Sequence, residues 1–279
     1  MWTDSPLLRD VGAALLTAIT AAVVLRFWEE VANRSLLDQK LCRKLVHITV
    51  GLVYLLMWPL FSSDDFYAPF IAPFIIILNI VKVTLIGLGA VKDEGVVNSM
   101  TRHGDHRELL KGPLYYACAI TLTTIIFWRT SPISIAVICN LCAGDGVADI
   151  IGRQFGHAKL PHNPEKSYAG SLAMFLAGFF ASVLYMCYFH HFGFVEQSWT
   201  MVVAFGVISL VAAVVESLPV STRLDDNLTV PLASMLVGGL VFYSIGARRN
   251  LFYMNSGRSS ISAIVEMAFA EPQVVNPQA

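Results

Sequence analysis

The stretch "GDGVADIIGRQFGHAKLPHNPEKSYAGS", Gly144 to Ser171, sets two aspartates, an arginine and two lysines between strongly apolar runs. Asp145 and Asp149 stand four residues apart, so on a helix their carboxylates share one face. At the end of an apolar run the two repel each other and are poorly solvated. Mg²⁺ relieves both costs, because it takes one or two carboxylates together with phosphate oxygens. Asp145 and Asp149 are therefore the expected metal ligands; the alternative is a helix cap plus a surface carboxylate. The lysines and glycines that follow suit a polyanion. Lysine acts as a point charge on phosphate. Lys166 and Ser167 lead into an apolar run whose helix N-terminus is itself an anion site. Lys166 follows Glu165, so this is not a Gly-x-x-x-x-Gly-Lys-Ser loop. No strand precedes the glycines, so it is not a dinucleotide fingerprint either. A phosphate site of another construction is expected, using Arg153, Gly156, Lys159, Lys166, Ser167 and Gly170.

Three further stretches carry candidate chemistry. In "RKLVHITVG", Arg43 and His47 share a helical face and Lys44 adjoins them. They read either as interface anchors or as a cation beside a titratable imidazole. In "TRHGDHRELLKGPLYY", Arg107 and Lys111 stand at helical spacing with Glu108; a solvated loop is the alternative. In "ESLPVSTRLDDNLTVPL", Asp225, Asp226 and Asn227 precede an apolar run, and Glu216 lies within one. A helix N-cap explains one of these acids. The others suggest a second metal or nucleotide contact.

The elements that must position these groups are membrane helices. The chain is 56% hydrophobic and 14% charged, with a mean hydropathy of +0.62. Soluble domains carry about 25% charged residues, so this chain cannot cover a water-facing surface. Spanning helices need about 20 mostly apolar residues. Candidates occur near 11–28, 45–61, 68–91, 113–128, 131–148, 168–189, 201–220 and 229–246. The fifth is interrupted by Asn140, Gly144 and Asp145. No internal repeat is evident. The expectation is an all-α polytopic membrane domain of about eight helices over 1–249, with a disordered tail over 250–279. With eight spans, the loops at 29–44, 92–112, 149–167 and 221–228 share one side and hold 12 of the 19 Lys and Arg residues. Positive-inside logic makes that the cytoplasmic or stromal side. All four polar stretches lie there, so the active site is expected at the basic membrane face. The five cysteines show no zinc spacing and read as reduced, mostly buried thiols. The net charge of −1 says nothing about partners, and no nucleic-acid partner is expected.

Taken together, "RKLVH", "GDHRELLKGPLYY", "CNLCAGDGVADIIGRQFG", "KLPHNPEKSYAGS" and "VVESLPVSTRLDDNLTVPL" resemble the polyprenol kinase family, in its plant phytol kinase and farnesol kinase branch. The resemblance covers roughly 40–246, and "CNLCAGDG" leans toward the farnesol kinase side. It implies a multi-span plastid enzyme that phosphorylates an isoprenoid alcohol. CTP would be the donor, a divalent metal the cofactor, and the phytyl phosphate produced would feed tocopherol synthesis. Plastid members begin with a Ser/Arg-rich transit peptide. Here "MWTDSPLLRD" runs almost directly into the first span, so either a leader is missing from this chain or the location differs from a chloroplast membrane.

The mechanism expected is phosphoryl transfer by positioning and charge neutralisation. Asp145 and Asp149 hold Mg²⁺ on the nucleotide phosphates. Lys159, Lys166 and Ser167 hold the triphosphate. Arg153, or Arg43 with Lys44, neutralises the group in transfer. Asp225 or Asp226 binds metal or orients the hydroxyl, and His47 competes as a base. The lipid alcohol lies between the spans. Two other classes share ingredients: a cytidylyltransferase acting on a lipid phosphate, and a transporter of an anionic metabolite.

Overall fold

A computed structural model describes residues 5–62, 66–101 and 104–246. Among them, eight helical segments are long and apolar enough to cross a membrane. α1 (Pro6–Asn33) packs along α2 (Gln39–Leu56), which a 3-10 turn at Trp58–Leu60 extends. The third span is broken beside Pro73 into α3 (Ala68–Ile71) and α4 (Phe74–Gly87). Proline removes a helical donor and crowds the preceding turn. After α5 (Glu94–Met100), a 3-10 turn at His106–Leu110 leads into α6 (Gly112–Phe127). The fifth span joins α7 (Pro132–Cys139) to α8 (Asp145–Phe155) through a π-helical turn at Asn140–Gly144. α9 (Tyr168–His191), α10 (Trp199–Ser217), the short α11 (Pro219–Leu224) and α12 (Asp226–Gly246) follow. One unit runs to Gly239, and a second, Leu240–Ala279, begins in the last turns of α12. The tail expected from residue 250 lies outside the described residues.

The pattern of exposure inverts that of a water-soluble protein. Leu15, Ile19 and Val23 on α1, and Leu172, Phe180 and Leu184 on α9, face outward. Such a surface needs lipid, where helices satisfy every backbone polar group internally. The fifth span is the most buried of the eight and forms the centre of the bundle. Small residues let its neighbours close on it. A Cβ at Gly178 of α9 would collide with the Asn140 amide oxygen. That Asn140 donates across the core to Ser234 Oγ at 3.3 Å.

Several boundaries differ from those read in the sequence. α2 begins at Gln39, capped by Asp38 accepting from the Lys40 amide, so Arg43 and Lys44 are helical. α8 runs to Phe155, so Asp149 and Arg153 belong to the fifth span rather than to a loop. The 149–167 connection ends in a small antiparallel hairpin, β1 (Lys159–Leu160) and β2 (Asn163–Ser167). The five cysteines are free.

A buried polar staple closes the end of the bundle remote from these loops. Arg129, 2% exposed, donates to the carbonyl oxygens of Trp58 at 2.8 Å and Phe61 at 2.9 Å, and also to that of Ser62. Asp10 accepts from the Ser62 amide at 2.6 Å and its hydroxyl at 3.0 Å. The guanidinium lies 4.3 Å from the Phe194 ring centroid. Burial pulls the Arg129 pKa down to about 10, against the nearby Asp10 charge, which leaves it protonated at neutral pH.

Candidate active site

The π turn is the local device on which the site depends. Single π turns inside α-helices recur at functional sites because they re-aim the residues that follow. Here α8 starts at Asp145, and Asp145 meets two side chains of α2. Lys44 Nζ lies 2.9 Å, and His47 Nε2 3.4 Å, from Asp145 Oδ2. Lys44 and His47 are three apart and share that helical face. His47 Nε2 is also 3.0 Å from the Leu141 carbonyl oxygen. A carbonyl can only accept, so Nε2 carries the hydrogen and Nδ1 is the ring's basic nitrogen. Tyr116 of α6 buttresses this corner by donating to the His47 carbonyl at 2.8 Å. Arg43 faces the same cavity.

One turn along α8, Asp149 pairs with Arg153. The two aspartates share the helix face expected of them, and each already has a cationic partner. The glycines here serve packing: a Cβ at Gly156 would strike Ser167, and one at Gly170 would crowd the Ala148 carbonyl oxygen at 3.2 Å. Ser167 caps α9 by accepting from the Gly170 amide at 3.2 Å. Asn163 ties the hairpin to α10 and α11 through the Ser217 carbonyl at 3.1 Å and Thr222 Oγ1 at 3.0 Å.

Lys166 bridges two carboxylates from the far end of the chain. It pairs with Glu216 at the end of α10 and lies 2.7 Å from Asp226 Oδ2 at the start of α12. Burial pulls the Lys166 pKa down, but the Asp226 and Glu216 charges outweigh it and hold the ammonium above the usual lysine range. Glu216 Oε2 is buried with no hydrogen-bond partner. Asp226 also accepts from the Ser221 hydroxyl. Asp225 adopts φ 85°, ψ 131°, in the region that favours glycine. Its carboxylate accepts from the Asn227 amide at 3.0 Å and side chain at 2.9 Å. A non-glycine residue held there stores strain, and such strain clusters at functional sites.

These groups line one end of a cavity of about 1680 Å³. The four loops expected on one side all contribute: Lys44 from the first, Lys111 from the second, Lys159 and Lys166 from the third, Asp225 and Asp226 from the fourth. Arg107 is the exception, exposed on the 3-10 turn and outside the cavity lining. Lys111 meets the site because Gly112 packs against Asp225, whose Oδ2 would lie 3.4 Å from a Cβ there. The contacts that assemble this cavity bridge 50 to 101 sequence positions, so local patterns could not announce them. Tyr116 and Ser221, which sequence reasoning passed over, carry no local signal at all. Lys82 is explained structurally: it reaches from α4 to Asp93, the cap of α5, at 3.0 Å.

The donor set is compatible with Mg²⁺. Asp145, Asp149, Asp225, Asp226 and Glu216 present hard oxygen ligands to one cavity, and the orphaned Glu216 oxygen is a buried acceptor with capacity to spare. Among the described residues no compact cluster of three or more ligating side chains is preformed. Mg²⁺ sites on phosphates are commonly built from one or two carboxylates, waters and the phosphates themselves.

Fold and site together describe a helical bundle with eight candidate membrane spans and a cluster of ion-paired cations and carboxylates lining one large cavity. No protein-family model matches the chain, and no solved structure matches it. Curated relatives do. A rice protein named probable phytol kinase 2, chloroplastic, is 63% identical over 85% of this chain and 78% of its own length. The Arabidopsis farnesol kinase, chloroplastic, is 57% identical over 87% of this chain and 78% of its own. Arabidopsis phytol kinase 1, chloroplastic, is 42% identical over 85% and 78%. The chain belongs to the polyprenol kinase family, in its phytol kinase and farnesol kinase branch.

Proposed function

We propose that the protein is a CTP-dependent kinase of a chloroplast membrane that converts an isoprenoid alcohol, farnesol, geranylgeraniol or phytol, to its monophosphate. The observation that carries this reading is the make-up of this large cavity. One end is lined by ion-paired carboxylates and cations, and the other by Ala18, Leu25, Val50 and Ile120. A charged donor and a hydrocarbon acceptor need those two environments side by side. Hydrocarbon burial contributes about 0.8 kcal/mol per CH₂, which supports a lipid acceptor held within the bundle.

The residues divide the work as follows. Lys159 and Lys111 reach the outer phosphates of the nucleotide. Lys44, Arg43 and Arg153 neutralise the group in transfer. Lys166 joins them when the nucleotide competes for its ammonium with Glu216 and Asp226. Asp145 and Asp149 hold Mg²⁺, which supplies charge neutralisation on the phosphates when bound. Ser167 and Gly170 maintain the N-terminus of α9 behind Lys166. The alcohol oxygen bonds to the terminal phosphorus, the bond to the diphosphate breaks, and CDP leaves. Loose phosphoryl-transfer transition states ask little of a base. Orientation of the hydroxyl is the larger task, and we assign it to Asp225 and Asp226, with His47 Nδ1 as the competing proton acceptor. The monophosphate product fits salvage of isoprenoid alcohols into tocopherol-type lipids.

The test uses purified protein with CTP labelled at the terminal or the innermost phosphorus, and a panel of alcohols. Label from the terminal position should enter the lipid with release of CDP. Transfer of the innermost phosphorus with pyrophosphate release would make the protein a cytidylyltransferase, and turnover with ATP alone would remove CTP from the proposal.

A further inference from the structure

The apolar arm of the cavity has a measurable depth and a built floor. On α2 it is lined by Val46, Val50 and Tyr54, which fall on one face at four-residue steps. Lys44, at the charged end, and Tyr54 are ten residues apart on one helix, or roughly 15 Å at 1.5 Å per residue. The facing wall on α1 is lined from Asn33 to Ala18, and its stretch from Glu29 to Ala18 covers roughly 16 Å by the same rise. At the deep end, α1 contributes no lining residue past Ala18 and α2 none past Tyr54.

Tyr54 ends the arm because its ring is fixed. It is 5% exposed, and its hydroxyl lies 3.1 Å from Thr124 Oγ1. The Thr124 hydroxyl donates to the Ile120 carbonyl at 2.7 Å, so Tyr54 is the donor to Thr124. Beneath it, Trp58 packs edge-on at a centroid distance of 5.9 Å and is fully buried. Trp58 in turn is anchored through its carbonyl by Arg129. The floor cannot sink without breaking that staple.

A trans-prenyl unit has four main-chain carbons. At carbon–carbon bonds of about 1.5 Å in a zigzag, it spans roughly 5 Å. Three units therefore fill the arm, and a fourth has no room beyond the ring. We propose that Tyr54 is the specificity-determining residue for acceptor length, a gauge that seats a C15 chain and crowds the last unit of a C20 chain. This inference rests on the kinase reading above and adds a ruler to it.

The test is phosphorylation of geraniol, farnesol and geranylgeraniol by the full chain in lipid nanodiscs, read as the ratio of kcat/KM values. The wild type should use the C15 alcohol in preference to the C20 alcohol. Tyr54→Ala should raise the C20-to-C15 ratio by on the order of tenfold, the scale of methylene discrimination in a pocket. Tyr54→Phe, which keeps the ring, should keep the wild-type ratio. Because Tyr54→Ala removes a buried ring and can fail to fold, Val50→Trp provides a second arm. It should shorten the cavity and lower the C15-to-C10 ratio. An unchanged length profile in folded Tyr54→Ala or Val50→Trp overturns the gauge while leaving the kinase intact. Failure of the wild type to phosphorylate any of the three alcohols sinks the kinase reading, and the gauge with it.

Discussion

Lys44 and Asp145 stand 101 positions apart, and Lys44 Nζ lies 2.9 Å from Asp145 Oδ2 with the side chains only 14% and 5% exposed. Breaking such a pair by removing one partner strands the other charge, typically at about 3–5 kcal/mol. The two partners are not equivalent. Lys44 sits in the second turn of α2 and can extend its long stem toward water, whereas Asp145 is held in the middle of the fifth span. Lys44→Ala should therefore lower the melting temperature in detergent more than Asp145→Asn does. Both should reduce turnover by a hundredfold or more. The reverse order of stabilities would mean that Asp145 is solvated in a way the site geometry does not provide.

The two lysines of the hairpin should separate. Lys159 is exposed, while Lys166 bridges Glu216 and Asp226. Lys166→Ala leaves the buried Glu216 and the partly buried Asp226 carboxylates without their shared cation and should cost both stability and CTP use. Lys159→Ala should weaken only the dependence on CTP. A raised lysine pKa contributes stability that is fully present below the ordinary value of 10.5 and is lost as pH rises beyond it. Wild-type melting temperature should thus be insensitive to this group at neutral pH and fall in the alkaline range, and Lys166→Ala should flatten that fall. A Lys166→Ala protein with the wild-type alkaline profile would remove the bridge from the stability argument.

Arg129 offers a control for effects on folding alone. Arg129→Ala removes the guanidinium donor from three carbonyl groups, of which that of Trp58 keeps the Phe61 amide, and takes away a cation near Asp10, so a loss of about 3 kcal/mol is expected from the buried polar groups. Protein that does fold should keep its KM for CTP, since the staple lies at the other end of the bundle. A raised KM with normal thermal stability would tie this end to the nucleotide.

Sidedness is checked by single cysteines in a background without the native ones. Arg107→Cys and Glu165→Cys should label from the same side of sealed vesicles, because both loops adjoin the charged end of the cavity. Glu196→Cys, in the connection between α9 and α10, should label from the other. Labelling of Arg107→Cys and Glu165→Cys from opposite sides would dismantle the eight-span arrangement.

The class of fold was legible in the amino-acid sequence because hydrocarbon imposes a local requirement. Each span must be about 20 apolar residues of self-satisfied helix, and that property is counted within the segment itself. The same locality made the Asp145–Asp149 face readable, since helical spacing alone decides it. Span ends were less legible: the loops read at 29–44, 149–167 and 221–228 reach into α2, α8 and α12. Long polar side chains can reach an interface from within a span, so charge does not mark the last helical turn. Partnerships were not legible at all. Asp145 meets Lys44 and His47 rather than Asp149's surroundings, and Lys166 meets Glu216 and Asp226. The close packing of the glycines at 156 and 170 in the α8–α9 crossing was not legible either. Each of these depends on how helices distant in sequence pack, and on one π turn that re-aims α8. Ion pairing across such distances is a property of packed surfaces, and only the tertiary structure determines which surfaces meet.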